Sequence, residues 1–371
     1  LTKLRTRRCS VLMKLLLEAP INRLSFGNVS YNFIRELKKL DVDLGIFPIG
    51  DLNQLDLSAF DPSDEIKKYI EDCINKRWDY LDKDIPSLKL WHLNGSDNRK
   101  NPRQYLYTFY ECNEPTEIEK QIALAQDRVI FSSKYAADHF RKAGVELSMN
   151  IPLGLDRDFF RTEKTYLKDT IHFGLMGKFE NRKHTQKIIK AWLKKYGNNN
   201  KYQLTCCVNN PFFNEQQMTG LISDTLQGNH YNNINFLPML EKNAEVNELL
   251  NSIDIDLTGL SGGEGWNLPA FNATCLGKWS VVLDATSHKD WANNNNSILI
   301  QPSGEMPVQD GVFFSPDSAF NRGTFYTWEE DEGISAMEKA EQKAGQLNTE
   351  GQKLAEEMSY TKTVEQILAV I

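Results

Sequence analysis

The chain of 371 residues is 40% hydrophobic and 25% charged, a balance that excludes a fibrous or extensively disordered protein. A formal net charge of -7 argues against a general nucleic-acid binder, so any anion site has to be local. The length favours two hydrophobic cores over one, with a cleft between them as the natural place for a ligand.

Residues 1–12 read as a basic leader, with Met13 as the expected natural start. The opening imitates a signal peptide, but Lys14 interrupts its apolar stretch and no small-residue cleavage site follows. No run approaches the ~20 apolar residues of a membrane span. The six cysteines include no CxxC pair, which suits reduced thiols and a cytoplasmic setting.

In chain order, "SVLMKLLLEA" is the first expected strand, and "GNVSYNFIRELKKL" the first helix, with Val29, Phe33, Ile34 and Leu37 at helical spacing. The strands "DVDLGIFPI", "SLKLWHL", "QYLYTFYE", "DRVIFSS" and "MNIPLG" follow. After the polar stretch "DRDFFRTEKTYLKDT" the pattern begins again with "IHFGLMG", "YQLTCCV", "INFLPM", "IDLTGL", "WSVVLDA" and "SILIQP". The helix "QKIIKAWLKKYG" puts Ile188, Ile189, Trp192, Leu193 and Tyr196 on one face, with Gly197 as its stop. The tail "AMEKAEQKAGQLNTEGQKLAEEMS" reads as helix and "TVEQILAVI" as one more.

Strands alternating with helices predict an α/β protein of two facing, Rossmann-like, doubly wound parallel sheets. The expected domains are 13–162 and 163–345, with C-terminal helices over 346–371. Ligands in such sheets bind beyond the carboxyl ends of the strands.

Two stretches leave such ends. In "SGGEGWNLP", between "IDLTGL" and the helix "AFNATCLG", Pro269 suits a first helical turn whose amides favour an anion. Gly262, Gly263 and Gly265 would let a ligand approach the backbone, and the Glu264 carboxylate suits sugar hydroxyls better than phosphate. Taken alone, the same loop reads rather as a turn with a solvated glutamate. In "GLMGKFENRKHTQ", Lys178, Arg182 and Lys183 form either a solvated basic face or a cation set for a diphosphate leaving group that needs no metal.

In the first half, Gly27 sits where a strand turns into a helix, which reads as a helix-opening turn capped by Ser25 or Asn28. His92, with Asn94 and Gly95 on the same rim, ends "LKLWHLNG", and Glu111 ends "YLYTFYE"; each has a structural alternative. Asp254 and Asp256 resemble an Asp-x-Asp metal motif but begin a strand, so a metal there is discounted.

The order of these motifs resembles the GT-B glycosyltransferases, and within them the retaining enzymes of family 4 (glycosyl transferases group 1). "GKFENRKH" is similar to the family's basic stretch and "EGWNLPAFNATCLG" to its Glu-Gly-Phe-Gly-Leu-Pro run; "TFYECNEP", "DRVIFSSKYAADHFRKAGV" and "IPLGLD" resemble acceptor-domain stretches in the same order. The likeness spans residues 13 to about 305.

It implies a transferase moving a sugar from a nucleotide diphosphate sugar to an acceptor hydroxyl with retention, without cofactor or metal. Lys178 and Lys183 would take the leaving phosphates, Glu264 the sugar hydroxyls and His92 the transferred sugar. Gly27, Gly177, Arg182, Gly263, Gly265, Trp266, Asn267, Leu268 and Asn272 would surround the donor; Asn94 and Glu111 would face a glycan, lipid or small-molecule acceptor.

The last helix would cross back to the first domain, and a closing hinge would lie near 160–170 and 300–345. Three positions depart from the family pattern. Its second glutamate is Asn272, an inner glycine is Asn267, and the glycine after the basic pair is His184. The alternative function is a GT-B-like nucleotide- or glycan-binding protein that has lost turnover.

Overall fold

The computed structural model describes residues 13–52, 55–81, 84–310 and 312–371; Cys9 and the expected leader lie outside them. The first sheet contains β1 (Lys14–Ala19), β2 (Asp43–Pro48), β3 (Ser87–Leu90), β4 (Gln104–Thr108), β5 (Arg128–Phe131) and β6 (Met149–Asn150). The second contains β7 (Ile171–Met176), β8 (Tyr202–Cys207), β9 (Ile234–Phe236), β10 (Ile255–Asp256), β11 (Trp279–Leu283) and β12 (Ser297–Ile300). Both are parallel throughout.

The helices are α1 (Ser25–Lys39), α2 (Asp64–Asn75), α3 (Glu117–Leu124), α4 (Lys134–Lys142), α5 (Thr185–Tyr196), α6 (Glu215–Leu226), α7 (Asn243–Ser252) and α8 (Leu268–Cys275), then α9 (Glu330–Glu341), α10 (Thr349–Glu357) and α11 (Tyr360–Leu368).

Strand order places the site. The first sheet runs β2-β1-β3-β4-β5-β6 and the second β12-β11-β10-β7-β8-β9. Each therefore reverses direction once, between β1 and β3 in the first and between β7 and β10 in the second. Outside the carboxyl ends of such a strand pair the flanking loops part and leave a crevice.

Apolar clusters support the sheets, as the side-chain periodicities require. Leu15 and Leu17 pack with Phe33, Ile34 and Leu37 of α1, and Phe173 and Leu175 with Ile188, Ile189, Trp192 and Tyr196 of α5. The last helix, α11, lies on the first domain. Its Thr361 Oγ1 donates to Glu36 at 2.7 Å and its Thr363 Oγ1 to the Pro152 carbonyl at 2.7 Å.

Several elements differ from expectation. β10 is only two residues long, because Asp256 Oδ1 accepts from Thr258 N and turns the chain into a 3-10 segment, Thr258–Leu260. β4 stops at Thr108, so Glu111 lies beyond the strand. The tail helix is broken in two, since Gly345 takes a left-handed φ of 74° and Asn348 Oδ1 caps a new start by accepting from Gly351 N. Neither Ser25 nor Asn28 caps α1; the cap residue is Leu24, and Gly27 lies inside the first turn. A Cβ at Gly27 would come 1.8 Å from the Asn22 carbonyl oxygen, so the loop leaving β1 can press on the helix only at glycine.

A hairpin of β13 (Gly304–Pro307) and β14 (Thr324–Thr327) leaves the second domain and crosses to the first. Val308, Phe314 and Phe325 join an apolar cluster with Leu93, Tyr110 and Phe131. Asn113 and Thr324 exchange two hydrogen bonds of 2.8 Å, so the hairpin braces the cleft on one side.

Candidate active site

The loop after β7 and the loop after β10 meet at the second sheet's reversal point. There Lys183 Nζ lies 2.6 Å from Glu264 Oε1, and Arg182 Nη1 lies 3.0 Å from Glu264 Oε2. Arg182 also donates to the Gly263 carbonyl and, at 3.1 Å, to Glu180 Oε2, whose other oxygen is 2.7 Å from Lys178 Nζ. Three cations and two carboxylates thus form one chain of contacts, with Arg182 and both carboxylates buried and Lys183 and Lys178 partly exposed.

Electrostatics follow from that burial. Desolvation alone would push the Glu264 carboxyl up, but Lys183 and Arg182 outweigh it and hold the group far below the usual carboxylate range. Burial likewise opposes the Glu180 charge, and Arg182, Lys183 and Lys178 keep it ionised. Arg182 is raised above its ordinary value: burial acts against its charge, and Glu264, Glu180 and Glu111 prevail.

Two departures from the family pattern occupy left-handed backbone, where a glycine is least strained. His184 has φ 54° and Asn267 φ 70°, and asparagine and histidine are among the residues that tolerate this region best. Each adds bonds a glycine lacks. Trp328 Nε1 donates to His184 Nδ1 at 3.0 Å, while Asn267 Nδ2 donates to the Thr258 carbonyl at 3.0 Å and to His288 Nε2 at 2.9 Å. Replacing Asn267 by Val should therefore lower stability by about 2 kcal/mol or more, whereas Gly should cost about half as much. Urea titration of the two variants measures this, and equal losses would contradict a conformational role.

The glycines serve protein contacts as well as any ligand. A Cβ at Gly262 would meet the Tyr326 carbonyl at 2.2 Å; at Gly263, Phe325 at 2.7 Å; at Gly265, Phe109 at 2.7 Å. The loop is thus pressed against the hairpin and the first domain, and Ser132 Oγ donates to the Gly265 carbonyl at 2.7 Å. Gly177, at φ 114°, clears a path for the Lys183 side chain, whose Cδ would lie 3.2 Å from an added Cβ. Leu268 opens α8 behind Asn267, and Trp266 and Asn272 are buried beside it. Among the described residues, Asn272 Oδ1 and Trp266 Nε1 have no hydrogen-bond partner.

Across the cleft, the first sheet's reversal point carries aromatic rings. Phe26, following β1, lies 4.5 Å from the His92 ring, following β3, and 4.8 Å from Phe109, following β4. His92 keeps an exposed edge, yet the protein packed around it and then the Lys178 charge push its imidazole below the ordinary value. Asn94 is exposed on the same rim. Glu111 is partly buried near Arg182, Glu264 and Glu180; burial pushes its carboxyl up, Arg182 opposes, and the two glutamates reinforce.

Asp254 and Asp256 stand apart from this group. Asp254 pairs with Lys164 at 2.6 Å, and burial pushes the Asp256 carboxyl up to about 6. Among the described residues no group of three or more His, Cys, Asp or Glu could hold a metal, and no helix is long and apolar enough to cross a membrane.

Sequence reasoning missed Glu180, although it stands inside the quoted basic stretch. An acid two positions from Lys178 and two from Arg182 was the available signal. It also missed Phe26 and Phe109, which periodicity assigns to the core, and the hairpin, which carries no local mark of its destination.

No family model matches the sequence, and neither does any curated protein. Solved structures do match. Sucrose-phosphate synthase from Thermosynechococcus elongatus aligns with a TM-score of 0.68 at 12% identity, covering 96% of this chain and 98% of that one. Anabaena HepE in complex with UDP-glucose gives 0.64 at 14% identity, with 96% and 98% covered. A glycosyltransferase from Rickettsia africae gives 0.62 at 11% identity, with 97% and 98% covered. At such identities the likeness is one of architecture, and with both sheet orders in hand the chain has the GT-B fold of glycosyltransferases.

Proposed function

We propose that this protein is a glycosyltransferase that moves a sugar from a nucleotide diphosphate sugar to an acceptor hydroxyl, with retention of configuration and without a metal, as in the retaining enzymes of family 4. The observation that supports it best is the meeting of Lys183 and Glu264 at one reversal point, opposite His92 at the other. Residues 13–162 would hold a glycan, lipid or small-molecule acceptor through Asn94 and Glu111, and 163–345 the donor.

In this reading the bond between the sugar's anomeric carbon and the phosphate oxygen breaks, and its electron pair leaves with the diphosphate. Lys178 and Lys183 stabilise that growing charge, where a preorganised cation lowers the barrier most. Glu264, kept ionised, accepts hydrogen bonds from the sugar hydroxyls. Asn272 offers its unpartnered Oδ1 to a ribose hydroxyl, and the Leu268 amide, at the start of α8, faces a phosphate. His92, its imidazole held below the ordinary value, stands beside the sugar, and the acceptor oxygen attacks on the face the phosphate leaves while its hydroxyl proton passes to the departing phosphate oxygen.

HepE was solved with UDP-glucose, which supports a nucleotide sugar as the ligand here. The five described cysteines are free and four are buried, in keeping with a reducing, cytoplasmic setting.

A panel of nucleotide sugars tests the reading. One donor should be hydrolysed slowly without acceptor and used faster with one, EDTA should leave the rate unchanged, and NMR of the product should show the starting anomeric configuration. Donor binding with no release of nucleotide, with or without acceptors, would overturn the enzyme reading.

A further inference from the structure

We propose that Glu180 is a resident counter-ion of the leaving-group cations and sets how tightly the site holds a diphosphate; this rests on the reading of Lys178 and Lys183 just given. Glu180 is 8% exposed and touches Lys178 at 2.7 Å and Arg182 at 3.1 Å. Arg182 is held at both ends, by Glu180 and by Glu264 with the Gly263 carbonyl, and so stays where it is. Lys183 is fixed on Glu264. Lys178 is the arm with room to move: its side chain is 32% exposed, and its Nζ lies 5.2 and 5.3 Å from the ring centres of Phe212 and Phe313.

Charge counting gives the consequence. Lys178, Arg182 and Lys183 face Glu180 and Glu264, with Glu111 close enough to feel them, so the site is near neutrality before any ligand arrives. A diphosphate entering it must share Lys178 with Glu180, and the two anions repel at short range in a poorly solvated place. Glu180 therefore weakens retention of the diphosphate and speeds its departure, while keeping the cations ordered between turnovers. An uncharged ligand feels none of this. Glu180 is a positioning residue that acts through Lys178 and Arg182.

Calorimetry with inorganic pyrophosphate, with UDP, GDP and ADP, and with the matching uncharged nucleosides tests the proposal. Glu180→Gln keeps the shape and removes the charge, so it should bind pyrophosphate and the preferred nucleoside diphosphate at least about tenfold more tightly than wild type. Nucleoside binding should not change. In turnover the same variant should lower KM and lower kcat, because product leaves more slowly. Glu180→Asp, which keeps the charge, should stay near wild type.

Should Glu180→Gln fail to fold, the charge-balanced pair Lys178→Gln/Glu180→Gln replaces it and should recover the pyrophosphate affinity that Lys178→Gln alone loses. Equal or weaker binding by Glu180→Gln, equal tightening by the Asp variant, or no recovery in the pair overturns the role of Glu180 and leaves the transferase reading standing. No binding of any diphosphate by wild type or by either variant overturns both.

Discussion

Replacing Lys183 by alanine is expected to cut donor turnover by a hundredfold or more, roughly the loss seen when one preorganised charge donor is taken from a developing anion. Its side chain is only 14% exposed and lies across Gly177, so the ammonium is aimed by packing rather than by chance. Arg182 offers no substitute, because its terminal nitrogens are engaged by Glu180, Glu264 and the Gly263 carbonyl. The fold should survive: Glu264 keeps Arg182 as a partner, and the thermal midpoint should move by no more than a few degrees. Lys183→Arg should recover part of the rate, since charge is retained and reach is not. Steady-state rates with the preferred donor decide the matter, and wild-type turnover in Lys183→Ala would remove this lysine from the chemistry.

Much of the architecture was legible because it is written locally. The α5 face from Ile188 to Tyr196 and the short apolar strands announce a layered α/β protein, and the two polar loops announce where strands end. Strand order was not legible, because pairing is a long-range event. Nothing in "IHFGLMG" and "IDLTGL" says that β7 and β10 lie side by side, yet that pairing is what brings Lys183 to Glu264.

The left-handed positions were hidden for a different reason. A glycine advertises positive φ, while His184 and Asn267 adopt it without advertising it. The carboxylate at Glu180 was visible but ambiguous. Only burial distinguishes a solvated acid from a counter-ion locked between two cations.

Arg182→Met should be the most destabilising change at the site, by about 3–5 kcal/mol at neutral pH, because it removes the buried cation shared by two buried carboxylates rather than deleting a surface charge. Glu180 would keep Lys178 and Glu264 would keep Lys183, but the guanidinium that links both to the Gly263 carbonyl would be gone.

The pH dependence has a definite sign. In wild type, Glu264 and Glu180 titrate below the reference value of 4.5 in the fold, so their stabilisation is fully present above it and is lost as pH falls toward their folded values. Without Arg182 the largest or second-largest opposing charge disappears from each carboxylate, burial raises both, and the folded and unfolded values draw together. The stability gap between wild type and Arg182→Met should therefore be widest at neutral pH and shrink below 4.5. Urea midpoints measured on both sides of that value test it. A gap that stays constant through the acid range would mean that the arginine supports the loop by packing alone, and that the two carboxylates owe their ionised state to the lysines.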